Sequence, residues 1–220
     1  MIPRRPAALV CDMDGLLLDT EQLIRAAMTA ELNALGHDFS AARFAELIGE
    51  PADANDARLL EWYGGAVDPQ ALRRAVARRI ETDWGKARPL KPGVTALLAG
   101  ARALGLPLAV ATSTGRDAAL SHLSHSGIAD QFDAIVTRDD VARGKPYPDL
   151  FLAAAQRLGV APPEALALED SHSGVRAAHA AGVPVIMVPD LLPATAEMAA
   201  LAVAIASDLH EVAHWLDAAA

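Results

Sequence analysis

The sequence predicts an α/β fold in which a mainly parallel β-sheet is flanked by helices and interrupted by an all-α insertion. Three observations lead to this prediction. Short apolar runs alternate with helical patterns over most of the chain. Most of those helical patterns stop at a glycine, which favours a helix terminus. Residues from about 18 to 86 break the alternation, because they contain helical patterns and no convincing strand.

The predicted strands are short apolar runs without helical periodicity, as expected of strands buried in a parallel sheet. They cover residues 7–11, 108–111, 134–137, 165–169 and 184–188, with a short sixth strand at 202–206. The predicted helices between them cover residues 94–104, 117–126, 149–158 and 174–181. Strands that alternate with helices in this way predict one sheet covered on both faces.

The insertion contains helical patterns at residues 21–35, 41–47, 53–63 and 69–84. Its predicted hinges are residues 16–20 and 86–92, the second of which is rich in lysine, arginine and proline. We therefore expect two domains. Residues 1–17 and 87–220 form the α/β core, and residues 18–86 form a helical cap.

Composition limits the environment and the partners. A length of 220 residues is enough for one substantial core and a small accessory domain. The formal net charge of −9 disfavours nucleic acid or an anionic membrane as a partner. No apolar run approaches the roughly 20 residues of a membrane span. Cys11 is the single cysteine, which fits a reducing cytoplasm. The oligomeric state is not determined, and a monomer is the favoured expectation.

The most informative motif is Asp12-Met13-Asp14-Gly15, which directly follows the first predicted strand. Open parallel sheets place ligand sites at the carboxyl ends of their strands. Two carboxylates so close together repel each other unless a metal ion, a shared proton or a salt bridge compensates. Gly15 allows a sharp turn straight afterwards. Alone, however, Asp-x-Asp more often marks a polar loop than a catalytic site.

Three further motifs also lie near strand ends or stiff turns, and each has an ordinary explanation when taken alone. Thr112-Ser113 begins a small hydroxyl-rich segment that suits an anion or a helix N-cap. Lys145 stands between Gly144 and two prolines, where it is presented rigidly, although most lysines are solvated surface residues. Glu169-Asp170 is a second acidic pair, and the next helix could use it as an N-cap.

In this order and spacing, the four motifs resemble those of the haloacid dehalogenase-like superfamily of phosphotransferases. The resemblance covers almost the whole chain. It is strongest to the beta-phosphoglucomutase-like branch with a helical cap. The segments from Asp12 to Glu21 and from Ala111 to Gly115 look most like its sugar-phosphate and pseudouridine-phosphate phosphatases. The resemblance implies a Rossmann-like core and an all-α cap.

The resemblance also implies catalytic roles. Asp12 would attack phosphorus and form an aspartyl-phosphate, which splits the reaction into two steps. Asp14 would protonate the departing oxygen and later take a proton from water. Thr112 and the Ser113 N–H would hold phosphoryl oxygens, and Lys145 would stabilise charge on the transferring group.

The implied cofactor is Mg²⁺, a hard ion that prefers oxygen ligands. Its ligands would be Asp12, the backbone carbonyl of Asp14, Asp170 and Glu169, the last directly or through water. Substrate contacts from the cap would come from Glu21 and the loop at residues 48–55. Of the seven histidines, we expect His172 alone to be able to approach the site. The others are expected on the surface or on helix faces: His37, His122, His125, His179, His210 and His214.

The predicted function is therefore Mg²⁺-dependent hydrolysis of a small phosphorylated metabolite, such as a sugar, polyol or nucleoside-type monophosphate. The main alternative is a phosphomutase of the same branch. Beta-phosphoglucomutase has a cap histidine and a cap-loop arginine where this chain has Ile24 and Ala52, which favours hydrolysis. A dehalogenase is disfavoured by the second aspartate, Asp14. A binding module without catalysis is disfavoured because every expected catalytic residue type is present. The sequence does not identify the substrate.

Overall fold

The computed structural model describes residues 5–48, 50, 52–85 and 88–219. Its strands are β1 (Ala8–Cys11), β2 (Leu108–Ala111), β3 (Ala134–Val136), β4 (Ala165–Glu169), β5 (Val185–Met187) and β6 (Ala204–Ile205). They form one six-stranded sheet in the order β3-β2-β1-β4-β5-β6, and every neighbouring pair is parallel. The prediction of a parallel sheet flanked by helices is confirmed.

Helices connect these strands and fill the insertion. They are α1 (Thr20–Ala34), α2 (Ala41–Ala45), α3 (Ala52–Tyr63), α4 (Pro69–Trp84), α5 (Val94–Ala103), α6 (Arg116–His125), α7 (Asp149–Leu158), α8 (His172–Ala180), α9 (Ala196–Leu201) and α10 (Leu209–Ala218). Helix α8 begins two residues before the predicted start, because the Ser171 side chain accepts a hydrogen bond from the Gly174 N–H and caps it. Helices α9 and α10 were not predicted, although Thr195 and Asp208 cap them in the same way.

Successive side chains of the strands enter opposite layers of the core, as the pleat requires. On β1, Leu9 and Cys11 join one apolar cluster, whereas Val10 joins the other. The first cluster contains the apolar faces of α5, α6 and α10, and the second contains those of α7, α8 and α9. The sheet is therefore buried on both faces, which explains why its strands are continuous apolar runs.

The insertion has its own apolar cluster, formed by side chains of α1 to α4 and the segments between them. Its buried members are Leu23, Ala27, Met28, Leu32, Phe39, Phe44, Leu47, Leu59, Val67, Leu72, Val76 and Ile80. Helices α1 and α4 pack against each other, and Arg79 Nε lies 2.5 Å from Glu31 Oε1 across that contact.

The two segments that connect the insertion to the core are hydrogen-bonded to each other. The Asp19 N–H donates to the Pro89 carbonyl at 2.8 Å, and the Lys91 N–H donates to the Leu17 carbonyl at 3.0 Å. Lys91 Nζ also lies 2.6 Å from Asp190 Oδ1, in the segment after β5. Predicted hinge residues 86 and 87 lie outside the described residues. The connection is thus a pair of hydrogen-bonded segments, and the Lys91 side chain links it to the core.

Cys11 is completely buried in β1. Burial raises the pKa of its thiol to about 12, with the Asp12 carboxylate adding to the effect. The side chain is therefore a small apolar filler at neutral pH. Among the described helices, none combines the length and apolar character needed to cross a membrane.

We expect Gly93→Ala to destabilise the core strongly. Gly93 has φ +89°, and a Cβ there would lie 2.6 Å from the backbone carbonyl carbon of Leu209, where α10 begins. Strain and overlap together should lower the free energy of unfolding by more than about 2 kcal/mol in urea titrations followed by circular dichroism.

The matched control is Gly36→Ala. Gly36 also has positive φ, +80°, but nothing lies within 4 Å of the added Cβ. This substitution should lower the free energy of unfolding by about 1 kcal/mol, from backbone strain alone. Equal losses in the two variants would contradict the argument from close packing at Gly93.

Candidate active site

The predicted motif residues meet at the carboxyl ends of the three central strands. Asp12 follows β1, Thr112 follows β2, and Asp170 follows β4. Because β1 lies between β2 and β4, these side chains meet at one edge of the sheet. They line a cavity of about 1180 Å³ between the core and the helical insertion, together with Asp14 and Lys145.

Three carboxylates form a buried acidic cluster at the floor of this cavity. Asp12, Glu169 and Asp170 each present an oxygen, and these oxygens lie within 4.8 Å of one another. The Lys145 ammonium contacts both Asp12 Oδ1 and Glu169 Oε1. All four side chains are buried. Lys145 thus joins the ends of two neighbouring strands.

Burial controls the charge of this cluster. It raises the pKa of Asp12 to about 7; the carboxylates of Glu169 and Asp14 add to the rise, and the Lys145 ammonium opposes it. Burial, together with the carboxylates of Asp12, Glu169 and Glu21, holds the pKa of Asp170 well above its ordinary value. Burial also works against the charge of Lys145, but Asp12 and Glu169 outweigh it and raise the pKa of that ammonium.

The cluster therefore fits a divalent cation. Three carboxylates face a single ammonium, so a charge imbalance is buried in the site. The donors are carboxylate oxygens, which hard ions such as Mg²⁺ prefer over softer metals. The raised pKa values of Asp12 and Asp170 show how unfavourable the ionised cluster is when no further cation balances it.

Asp14 lies above this cluster, half-buried, and is held by three threonine hydroxyls. Thr20 Oγ1 donates to Asp14 Oδ1 at 2.9 Å. Thr114 Oγ1 and Thr112 Oγ1 lie 2.6 and 3.4 Å from Asp14 Oδ2. Thr112, expected to hold a phosphoryl oxygen, lies beside Asp14, and its Oγ1 accepts from the Thr114 N–H at 3.0 Å. Thr20 and Thr114 were not predicted as site residues.

Glu169 is completely buried, and its carboxylate is already occupied by protein groups. Oε1 contacts Lys145, and Oε2 accepts from the Ser171 N–H and Oγ, each at 3.0 Å. Ser171 Oγ in turn accepts from the Gly174 N–H at 3.1 Å. Glu169 is not among the residues that line the cavity, whereas Asp12 and Asp170 are, so its carboxylate lies behind theirs.

Two glycines leave the space that these carboxylates occupy. A Cβ on Gly174 would overlap the carboxylate of Glu169. A Cβ on Gly15 would lie 2.9 Å from Asp170 Cγ, and Gly15 also has φ +88°. The turn at Gly15 was predicted from the sequence, but its close packing against Asp170 was not, and no role was predicted for Gly174.

The insertion contributes the predicted residue Glu21, which lines the cavity from α1. Burial raises its pKa to about 8, and the nearby carboxylates of Asp14 and Asp190 add to the rise. Ser113 is exposed on the cavity wall. In the predicted loop at residues 48–55, the cavity is lined by Ile48, Glu50, Ala52, Asp53 and Asn55. Residues 49 and 51 of that loop lie outside the described residues.

The histidine predictions need correction. His172 Nε2 lies 2.9 Å from the carbonyl oxygen of Pro193, and His172 is not among the cavity residues. His122 lies on a helix face as expected, but that face of α6 lines the cavity, and the buried Arg88 lines it too. Neither belongs to a motif, and only the three-dimensional packing of α6 against the hinge brings them to the site.

Sequence similarity to known proteins identifies the family of this chain. A family model described as haloacid dehalogenase-like hydrolase matches residues 9–188. The chain is 35% identical over 187 residues to fructose-1-phosphate phosphatase YqaB of Escherichia coli K12, covering 84% of this chain and 97% of that protein. It is 33% identical over 192 residues to hexitol phosphatase B of the same organism, covering 85% of each.

A solved structure agrees with these relatives. CbbY from Rhodobacter sphaeroides, in complex with phosphate, has a TM-score of 0.76 and 30% sequence identity, with 94% of this chain and 96% of that chain covered. The motif order, the sheet topology and the buried acidic cluster all accord with that likeness. The chain belongs to the haloacid dehalogenase-like hydrolases, in the branch of these named phosphatases.

Proposed function

We propose that this protein is a Mg²⁺-dependent phosphatase that hydrolyses a small phosphorylated metabolite through an aspartyl-phosphate intermediate. One observation carries the proposal. Asp12 reaches the cavity floor between the Lys145 ammonium and the Asp170 carboxylate, with Asp14 held at the same cavity by threonine hydroxyls. A nucleophilic carboxylate, a neighbouring acid–base group and a fixed cation are what stepwise phosphoryl transfer requires.

In this proposal, an Asp12 oxygen forms a bond to phosphorus as the bond from phosphorus to the ester oxygen breaks. Asp14 gives a proton to the departing alkoxide, which leaves as the alcohol. Asp14 then takes a proton from water as that water attacks the aspartyl-phosphate, which releases inorganic phosphate and restores Asp12. Lys145 stabilises charge on the transferring group, and Thr112 and Ser113 hold its oxygens.

Asp12, Asp170, Glu169 and the Asp14 backbone carbonyl would hold Mg²⁺. When bound, the ion would neutralise the phosphate and the acidic cluster, so that an anionic nucleophile meets an anionic ester. Because the Glu169 oxygens already contact Lys145 and Ser171, we propose that Glu169 would hold the ion through a water molecule and would orient the Lys145 ammonium.

We propose that residues 18–86 work as a cap that closes over the site and that residues 1–17 and 87–220 form the core. The paired connecting segments would be the hinge, and Glu21 would contact substrate. Excluding bulk water strengthens every charge interaction at Asp12 and Lys145. The names of the relatives, a fructose-1-phosphate phosphatase and a hexitol phosphatase, support a sugar or polyol monophosphate.

The proposal also covers location and assembly. The buried, unpaired Cys11 fits a reducing compartment, and we propose a cytoplasmic enzyme that works as a monomer. Its partner is the small phosphorylated metabolite, with neither nucleic acid nor membrane involved. The net charge of −9 supports that choice, because both alternatives are polyanions.

Phosphate release from a panel of sugar, polyol and nucleoside monophosphates with Mg²⁺ tests the nucleophile. Asp12→Asn should lower kcat by a factor of about 10³ or more, because the amide cannot form the covalent intermediate. Asp130→Asn is the matched control, since Asp130 is exposed and remote from the cavity. An Asp12→Asn enzyme that keeps the wild-type rate would refute covalent catalysis by Asp12.

Thermal unfolding tests the metal independently of activity. Excess Mg²⁺ should raise the Tm of the wild-type protein by several degrees, because an ion that binds only the folded state stabilises it by mass action. Asp170→Asn should remove most of that rise, and Asp130→Asn should keep it. An equal Mg²⁺-dependent rise in Asp170→Asn and wild type would exclude Asp170 as a ligand.

A phosphomutase would need a polar cap group to handle the departing intermediate. Ile24 and Ala52, the positions that hold histidine and arginine in beta-phosphoglucomutase, line the cavity with apolar side chains. Incubation with beta-glucose 1-phosphate and a catalytic amount of glucose 1,6-bisphosphate should therefore give inorganic phosphate and no glucose 6-phosphate. Accumulation of the isomer without phosphate release would establish the mutase instead.

A further inference from the structure

Part of the cavity wall next to Asp14 has no role in the mechanism above. It is formed by α6 and by the segment that leaves α4 toward the core. His122 and Ser121 come from α6, Glu81 from α4, and Arg88 from the connecting segment. If Asp14 protonates the departing oxygen, the rest of the leaving group lies toward this part of the wall.

The imidazole of His122 is built into this wall. Its Nδ1 is buried, and no group among residues 5–48, 50, 52–85 and 88–219 hydrogen-bonds to it. A buried polar atom left unpaired costs about 1–3 kcal/mol, so its retention calls for an explanation. A ligand in the cavity would supply the missing partner.

Burial lowers the pKa of His122, with Arg88 and His125 acting in the same direction and Asp14 and Glu81 against it. At neutral pH the ring is therefore neutral, with one nitrogen donating and the other accepting. A hydroxyl group, which can both donate and accept, is the complementary partner for either tautomer.

Arg88 is held beside His122 by the same helix. Its N–H donates to Ser126 Oγ at 3.0 Å, and that hydroxyl donates to the Arg88 carbonyl at 2.8 Å. Its Nη1 donates to the Gly85 carbonyl at 2.8 Å. Ser126 directly follows α6, so this link fixes Arg88 to the helix that carries His122.

We propose that His122, with Arg88 beside it, forms the subsite that recognises a hydroxyl of a neutral polyhydroxylated leaving group. The inference rests on the proposed phosphatase function, which it deepens by naming the residues that select the alcohol. His122 Nδ1 makes its missing hydrogen bond to the substrate hydroxyl, and Arg88 donates to a neighbouring oxygen.

Charge argues against a second anionic group at this subsite. Glu81 acts on both Arg88 and His122, and its negative charge offsets that of the guanidinium. A carboxylate or a second phosphate placed here would meet that acid and a neutral imidazole. Neutral hydroxyls avoid that repulsion, so the subsite favours sugar or polyol esters over two-carbon acid phosphates and bisphosphates.

The test compares sorbitol 6-phosphate with phenyl phosphate, whose leaving group has no aliphatic hydroxyl. His122→Ala should lower kcat/KM for sorbitol 6-phosphate by about 3- to 10-fold, mainly through KM, as loss of one hydrogen bond predicts. Phenyl phosphate should change by less than about two-fold. His122→Asn, which keeps a polar group near Nδ1, should recover part of the loss. The matched control His125→Ala, on the exposed side of α6, should leave both substrates unchanged.

Equal losses for the two esters, or no loss for either, would overturn the subsite. If His122→Ala lowers kcat/KM more for 2-phosphoglycolate than for sorbitol 6-phosphate, the subsite recognises an anionic group and the proposed hydroxyl recognition is wrong. If wild-type enzyme releases phosphate from no ester, the phosphatase proposal fails by itself. The subsite is then judged by the Tm rise that sorbitol 6-phosphate produces, which must be smaller in His122→Ala than in wild type and equal in His125→Ala.

Discussion

The ammonium of Lys145 is the interaction on which the site depends, because it lies between two buried carboxylates that the fold brings together. Asp12 and Glu169 come from the ends of neighbouring strands, and each would be unfavourable there as a free anion. One cation makes their proximity tolerable but does not neutralise the cluster, since Asp170 adds a third carboxylate. Ionising all three carboxylates would leave negative charge uncompensated, and a metal ion would balance it.

The position of this cluster follows from the winding of the chain. The path runs from β1 to β2 and β3 on one side, then returns to β4 on the other side of β1. The connections therefore diverge where β1 and β4 end, and a crevice opens there. Asp12 and Asp170 lie on either side of that crevice, at the ends of β1 and β4. The helical insertion begins just after β1, and this position in the chain places it directly above the crevice.

The sheet and the acidic cluster could be predicted because short apolar runs and strand-end motifs are local signals. The cavity wall could not, since the contribution of His122 depends on which face α6 turns toward the insertion, and α6 has no clean amphipathic pattern. Arg88 was predicted only as part of a hinge, because its place in the cavity wall depends on contacts with the distant residue Ser126. The orientation of Thr112 toward Asp14 also depends on neighbours, here Thr20 and Thr114, from two other segments.

The site depends on the absence of a side chain at Gly15 and Gly174. Neither residue offers a functional group, yet each stands where any side chain would displace a carboxylate of the cluster. A survey of substitutions would therefore find that Gly15 and Gly174 tolerate no larger residue, although neither has a functional group that would explain this. The geometry of the charged groups therefore depends on these two glycines as much as on the acids. A transplant of the acids and Lys145 alone into another scaffold would fail unless both glycines came with them.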